Sequence, residues 1–122
     1  MVVDLRLVVV DDNSFVLGAL TGVLSRDGIE VVGVATNSAD AITVVRSAHP
    51  DLVLVDVGLG VDDGFELAAR LAAPDGGPPV VLMSSRSESD LRELVDGSPA
   101  IGFLTKSQLS AAALVDCYRR SR

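Results

Sequence analysis

Short apolar runs alternate along the whole chain with segments whose apolar residues recur at helical spacing. The apolar runs have the length and composition of strands that are buried on both faces of a sheet. They cover residues 5–10, 31–35, 52–55, 80–83 and 101–104. A helical segment follows each run, and this strict alternation favours parallel strands joined by right-handed helical crossovers. The pattern therefore predicts an α/β protein with a single doubly wound, five-stranded parallel sheet and helices on both faces.

Small polar side chains mark the predicted helix starts. Residues 11–14 carry N-cap chemistry before the first helix, Ser38 is predicted to cap the second helix, and Ser107 the last. Residues 74–79, PDGGPP, have turn chemistry and are predicted to form a loop. In the fourth helix, helical spacing predicts three inward-facing residues, Leu91, Leu94 and Val95.

Length and charge restrict the possible functions. A chain of 122 residues is large enough for one domain, spanning residues 1–122, with a core that needs no metal or disulfide. The net charge of −7 argues against direct nucleic acid binding, because phosphate contacts need stripes of basic side chains. Cys117 is the single cysteine, and neither a signal peptide nor a membrane-spanning apolar stretch is visible. We therefore expect a cytoplasmic protein without membrane contact.

Reactive side chains follow four of the five predicted strands. The residues that come directly after the apolar runs are Asp11, Asp12, Asp56, Ser84 and, after Thr105, Lys106. In a doubly wound sheet, ligands bind outside the carboxyl ends of the strands, so these side chains should converge. Two unit charges about 4 Å apart at an effective dielectric of about 20 repel by about 4 kcal/mol, so three convergent carboxylates imply a bound cation. Oxygen ligands favour Mg²⁺, and the chain lacks the His and Cys cluster of a zinc site.

With a metal bound, a carboxylate can act as a nucleophile on phosphorus. Asp56 is the candidate, because it stands alone at the end of the predicted central strand. Phosphoryl transfer depends mostly on positioning and on neutralisation of charge. Ser84, Ser85 and Lys106 are the residues predicted to bind the phosphoryl oxygens, through the Ser84 hydroxyl, the Lys106 ammonium and loop amides.

The whole set resembles the receiver domain of bacterial two-component response regulators. The matching residues, in the expected order, are Asp11, Asp12, Asp56, Gly64, Ser84 and Lys106. The resemblance implies a flavodoxin-like (βα)5 fold with strand order 2-1-3-4-5, and a histidine kinase that transfers its phosphoryl group to Asp56. It also implies that Mg²⁺ is held by Asp11, Asp12, Asp56 and the backbone carbonyl of Gly58.

The resemblance further implies a conformational switch. Ser84 would turn toward the phosphoryl group and Phe103 would move inward, which remodels the face formed by the fourth helix, the fifth strand and the fifth helix. Gly58 and Arg86 occupy the positions that tune phosphoryl lifetime in the family. No enzymatic activity beyond the domain's own phosphorylation and dephosphorylation is implied.

A Lys-Ser pair at residues 106–107 is similar to receivers of the subfamily that carries helix-turn-helix output domains. A C-terminal DNA-binding output domain and a role in transcription regulation are therefore expected. A homodimer through the face of the fourth helix, fifth strand and fifth helix is also expected, because residues 111–115, AAALV, are apolar around much of the last helix. Leu114→Glu is predicted to disrupt that contact.

Two positions depart from the family pattern. Gly60 stands four residues after Asp56, where the family usually has proline, so the loop is predicted to be more mobile than usual. Ser107 follows the lysine, where proline with a cis peptide bond is common, so a trans bond is predicted here.

Several alternatives stay open at this level. Each strand-end residue alone could be a helix cap or a loop acid, and only the combined pattern is specific. A haloacid-dehalogenase-like phosphatase would need a second acid where Gly58 stands, and residues 58–64 do not have the spacing of a dinucleotide-binding turn. A receiver-like module that acts without phosphorylation is the main rival. His49 and Cys117 are assigned no function.

Overall fold

Five parallel strands form the central sheet of the computed structural model, which describes residues 4–72 and 76–121. The strands are β1 (Arg6–Val10), β2 (Glu30–Ala35), β3 (Leu52–Asp56), β4 (Val80–Ser84) and β5 (Gly102–Thr105). Their order in the sheet is β2-β1-β3-β4-β5, with parallel pairing throughout. The predicted fold class and strand order are confirmed, and every predicted strand bound lies within one residue of the observed one.

A helix follows each strand. The helices are α1 (Ser14–Arg26), α2 (Ser38–Ala48), α3 (Gly64–Ala72), α4 (Glu88–Asp96) and α5 (Ala111–Arg120). Alternate strand residues enter two hydrophobic clusters, one shared with α1 and α5 and the other with α2 and α3. Within β3, for example, Leu52 and Leu54 belong to the first cluster and Val53 and Val55 to the second. The central strands are thus buried on both faces, as their continuous apolar runs predicted.

The residues that cap two of the helices differ from the predicted ones. Asn37, not Ser38, caps α2, because its side-chain oxygen accepts a hydrogen bond from the Asp40 amide at 2.9 Å. The Ser38 amide instead donates to Oδ2 of Asp62 at 2.9 Å. Sequence could not separate the two candidates, since adjacent Asn and Ser side chains cap helices about equally well.

The start of the last helix was also predicted too early. Ser107 lies in a short 3₁₀ helix, Lys106–Gln108, and its hydroxyl is 3.0 Å from that of Thr105. The cap of α5 is Ser110, whose hydroxyl oxygen accepts a hydrogen bond from the Ala113 amide at 3.0 Å. The 3₁₀ turn after β5 therefore takes up the residues that the prediction had given to α5.

Two leucines face the opposite way from their prediction. Leu94 of α4 was expected to point inward but is 56% exposed, whereas Leu91 on the same helix is buried. Leu114 is fully buried in the cluster beneath α1 and α5. It cannot test a surface contact, because replacing it by glutamate would place a charge in the core.

The loop after β3 contains a two-stranded ribbon that was not predicted. Gly58–Leu59 pairs antiparallel with Asp62–Asp63, which leaves Gly60 and Val61 as a two-residue turn. Gly60 has φ of +67°, and Val61 is not among the described residues with positive φ. A positive φ at the first turn residue alone indicates a type II′ hairpin turn, which requires glycine at that place.

Candidate functional site

The carboxyl end of the sheet carries the buried polar groups of the protein. In the ranges 4–72 and 76–121, three polar or charged residues are buried, namely Asp11, Asp56 and Ser84. All three stand where a central strand ends or one residue beyond. Strand geometry explains their position, since parallel strands bring their carboxyl ends to one edge of the sheet. Burial of these groups requires hydrogen-bonding or ionic partners.

Lys106 joins the two buried carboxylates. Its Nζ atom donates to Oδ2 of Asp11 at 2.9 Å and to Oδ2 of Asp56 at 3.0 Å. The other oxygen of each carboxylate accepts a hydrogen bond from a backbone amide. Oδ1 of Asp11 accepts from the Asn13 amide at 2.9 Å, and Oδ1 of Asp56 accepts from the Gly58 amide at 3.1 Å. Both carboxylates are therefore held in fixed orientations by one ammonium group and two loop amides.

The burial and charge of this cluster shift two pKa values. Desolvation by burial raises the pKa of the Asp56 carboxyl above its ordinary value, and the negative charge of Asp11 raises it further. The hydrogen bond from the Gly58 amide and the attraction of Lys106 lower this pKa, but the net shift is upward. Desolvation alone would lower the pKa of Lys106, but hydrogen bonds and attraction from Asp11 and Asp56 outweigh it, and the net effect is a raised pKa. Lys106 is therefore a stable cation, whereas ionised Asp56 is held at a cost.

A third carboxylate completes an acidic cluster. Asp12 is exposed, and one oxygen from each of Asp11, Asp12 and Asp56 lies within 4.8 Å of the others. One ammonium group cannot neutralise three carboxylates, so the cluster keeps a net negative charge. A set of oxygen donors with one open, solvent-facing side fits Mg²⁺, which retains several waters in protein sites. The cluster is the one predicted from the strand ends.

The predicted phosphoryl-binding serines lie beside this cluster without bonding to it. The Ser84 hydroxyl is 3% exposed and accepts a hydrogen bond from the Arg86 amide at 3.0 Å. Ser85 and Arg86 are exposed at the start of the loop to α4. Phe103 is half-buried on β5, opposite Leu82, and packs against the cluster shared by α2 and α3.

Close contacts restrict two positions after β3 to small residues, Gly60 in the loop and Gly64 at the start of α3. A side chain at Gly64 would collide with the backbone of Asp56 and would stand 2.6 Å from the Cα atom of Val57. At Gly60 it would approach Oδ2 of Asp12 to 3.3 Å, and the positive φ excludes proline, whose φ is locked near about −65°. The chain therefore uses a different loop conformation from one with proline at this position. All described peptide bonds are trans, as predicted for the bond between Lys106 and Ser107.

The contacts that hold the site in place were not predicted from the sequence, although residue 13 lies in the segment that was predicted to cap the first helix. Asn13 supplies the amide that orients Asp11 and also caps α1 by accepting hydrogen bonds from the amides of Phe15 and Val16. Asp62, in the ribbon, links the loop to the start of α2. The signal for the ribbon was Gly60 as the first of two residues between short segments, because a type II′ hairpin turn has glycine at that position.

The family model described as the response regulator receiver domain matches residues 7–118. The chain belongs to this family. The family membership sets aside the phosphatase and dinucleotide-binding alternatives.

Solved structures and sequence relatives agree with this membership. The signal receiver domain of the response regulator NarL from Mycobacterium tuberculosis is 28% identical, with a TM-score of 0.84 over 94% of this chain and 96% of that one. A LuxR-family two-component response regulator from Aurantimonas sp. SI85-9A1 is 25% identical, with a TM-score of 0.82 over 96% of this chain and 84% of that one.

Curated relatives are longer than this chain. A protein-glutamate methylesterase/protein-glutamine glutaminase of Archaeoglobus fulgidus is 34% identical over 92% of this chain and 32% of its own length. The transcriptional regulatory protein PdtaR of Mycobacterium tuberculosis is 29% identical over 83% of this chain and 49% of its own length. The chain thus spans about half or less of the curated relatives that it matches. None of the helices in the described residues is long and apolar enough to cross a membrane.

Proposed function

We propose that this receiver domain is a phosphorylation-dependent switch in which Asp56 accepts a phosphoryl group from a histidine kinase. The observation that carries the proposal is the Lys106 ammonium held between the buried carboxylates of Asp11 and Asp56. This arrangement places a nucleophile, a fixed cation and an acidic metal-binding cluster at one edge of the sheet. The domain would carry signals in the cytoplasm.

In the proposed transfer, an oxygen of Asp56 attacks phosphorus and the P–N bond to the kinase imidazole breaks, with the electron pair leaving on nitrogen. Lys106 then exchanges its contact with Oδ2 of Asp56 for one with a phosphoryl oxygen. Mg²⁺, held by Asp11, Asp12, Asp56 and the Gly58 carbonyl, would neutralise charge on the transferring group. Burial raises the pKa of the Asp56 carboxyl above its ordinary value of 3.8, and a bound cation would oppose that rise because it favours the ionised form.

The proposed switch begins at Ser84. Its hydroxyl is held by the Arg86 amide, and it would turn to the phosphoryl group, which adds up to about two negative charges. Ser85 would bind the phosphoryl group through the loop amides. Gly58 and Arg86 would tune the lifetime of the phosphorylated state. Half-buried Phe103 would move inward and alter the face made by α4, β5 and α5.

The face made by α4, β5 and α5 is proposed to contact the output domain and a second copy of the chain. The likeness to the transcriptional regulatory protein PdtaR and to a LuxR-family response regulator supports a role in transcription regulation, and a C-terminal DNA-binding output domain is part of the proposal. A homodimer through α4, β5 and α5 is part of the same proposal. Exposed Leu94 on α4, rather than buried Leu114, is the residue with which to test it.

The decisive experiment uses acetyl phosphate and Mg²⁺, with intact-mass spectrometry as the measurement. We expect one phosphoryl adduct on the wild-type chain, none on Asp56→Asn, and none when EDTA removes the metal. Asp51→Asn is the matched control, because Asp51 precedes the same strand and accepts a hydrogen bond from the Arg6 amide at 2.9 Å, far from the acidic cluster. It should be phosphorylated like the wild type.

An adduct that persists in Asp56→Asn would contradict the proposal. No adduct on a folded wild-type chain would favour the rival, a receiver-like module that acts without phosphorylation.

The switch is tested with beryllofluoride, which mimics the phosphoryl group on the carboxylate. We expect amide chemical shifts to change around Ser84, Phe103 and Lys106 and along α4, and expect Ser84→Ala to suppress the change at Phe103. Equal changes at Phe103 in Ser84→Ala would separate the aromatic residue from the switch.

A further inference from the structure

A groove lies between the last turns of α2 and α3, at the end of the sheet where the strands begin. Its cavity has a volume of about 360 Å³. Ile42, Val45 and Leu71 form an apolar lining, and Arg46 and Arg70 stand at its edges. A second cavity of about 170 Å³ continues the groove past His49 and Pro50. The groove is therefore elongated rather than closed.

The charge of the groove is opposite to that of the protein. The chain has a net charge of −7, yet Arg46 and Arg70 line the groove and, in the described part of the chain, no carboxylate does. The ion pairs found among the described residues use Arg92, Lys106 and Arg120. The two groove arginines thus have no carboxylate partner in residues 4–72 and 76–121.

Helix position alone does not account for this pair. Arg46 and Arg70 lie in the last turns of their helices, where a cation interacts favourably with the helix dipole. Arg26 has the same position in α1 but does not line the groove. What distinguishes Arg46 and Arg70 is that both line one groove, together with the buried side chains of Val45 and Leu71.

We propose that this groove binds an acidic peptide segment of a partner protein, with carboxylates on Arg46 and Arg70 and an aliphatic side chain between them. Charge complementarity selects the acidic partner. Both guanidinium groups are exposed, and exposed ion pairs contribute little because water screens them. Apolar contact must supply the remaining affinity, which a free small anion cannot provide and a chain segment along an elongated groove can.

The test is a nuclear magnetic resonance titration of the isotopically labelled chain with a short peptide rich in glutamate and leucine. We expect saturable amide shifts at the ends of α2 and α3 and at Gly76 and Gly77. The double variant Arg46→Gln/Arg70→Gln should weaken binding by about tenfold or more. Arg26→Gln, the matched control, should leave the affinity within about twofold of the wild type.

The same titration includes three further probes. A peptide with glutamine in place of glutamate, and one with serine in place of leucine, should each bind more weakly than the parent. Shifts spread over the surface, or equal loss of affinity in Arg26→Gln, would overturn the proposal. If octanoate binds the groove as tightly as the peptide does, the proposed peptide is the wrong occupant and the groove binds a free amphipathic carboxylate. The measurement needs no phosphorylation, so its failure would leave the function proposed for Asp56 untouched.

Discussion

At the carboxyl end of the sheet, Asp11 and Asp56 are buried and share the ammonium group of Lys106, whereas at the opposite end Arg46 and Arg70 are exposed and have no described carboxylate partner. Burial strengthens each electrostatic contact at the first end and makes loss of a partner costly. Exposure makes the charges at the second end nearly independent of the fold. Charged side chains at the carboxyl end of the sheet therefore contribute to the stability of the fold, whereas those at the opposite end are available to a binding partner.

The largest expected effect on folding is at Gly64. Gly64→Ala should lower the free energy of unfolding by about 3 kcal/mol, because the new methyl group would collide with the backbone of Asp56 and Val57, which cannot move without distorting β3. At the other end, Gly76 has φ of +79° and open space around it, so Gly76→Ala should cost about 1 kcal/mol from backbone strain alone.

Chemical denaturation of both variants measures this difference. Gly22→Ala, in exposed helix with no neighbour within 4 Å, is the control and should increase stability by about 0.5 to 1 kcal/mol. Equal losses at Gly64 and Gly76 would show that the close packing behind Asp56 does not constrain the site.

Removal of the buried cation should have the next largest effect. Lys106→Met leaves Asp11 and Asp56 without their ammonium partner and should lower the free energy of unfolding by about 2 kcal/mol, less than for a fully buried pair because the Lys106 side chain is 26% exposed. Arg70→Gln should change it by less than about 0.5 kcal/mol.

The contribution of Lys106 to stability should decrease at high pH. The pKa of Lys106 is raised by its partners, so its contribution to stability is complete below its ordinary value of 10.5 and is lost as pH rises through the folded-state value. Denaturation midpoints of the wild type and Lys106→Met should therefore approach each other in strongly alkaline solution. A constant difference across that range would contradict the ion-pair explanation.

The smallest effect concerns Asp56 itself, in metal-free solution. Burial raises the pKa of this carboxyl, so its favourable contribution is complete below its ordinary value of 3.8 and is lost as pH rises through the folded-state value. Asp56→Asn should therefore be more stable than the wild type at neutral pH, with a gain that shrinks in acid. Thermal unfolding in EDTA at several pH values measures it, and Asp51→Asn should show no such gain. A less stable Asp56→Asn at neutral pH would mean that Lys106 outweighs the desolvation of the carboxylate.

Much of the site could be predicted because it depends on where strands stop. Parallel strands align their carboxyl ends, so the residues after the apolar runs at Asp11, Asp56, Ser84 and Lys106 had to meet at one edge. The caps at Asn37 and Ser110 could not be chosen over Ser38 and Ser107, because neighbouring polar residues have similar cap preferences. The orientation of Leu94 depended on how α4 sits against β5, which helical spacing alone does not define.

The order of apolar and polar residues by itself determined the α/β alternation, the strand bounds and the residues placed at the strand ends, since all of these follow from local periodicity and parallel topology. Tertiary structure alone decided that Lys106 bridges Asp11 and Asp56, that Gly64 lies against the backbone of Asp56, and that Arg46 and Arg70 share a groove. The Lys106 contacts join residues that are 95 and 50 positions apart in the sequence, and the other two depend on how separate elements pack. Their distances depend on how strands and helices pack together, and no periodicity along the chain encodes that packing.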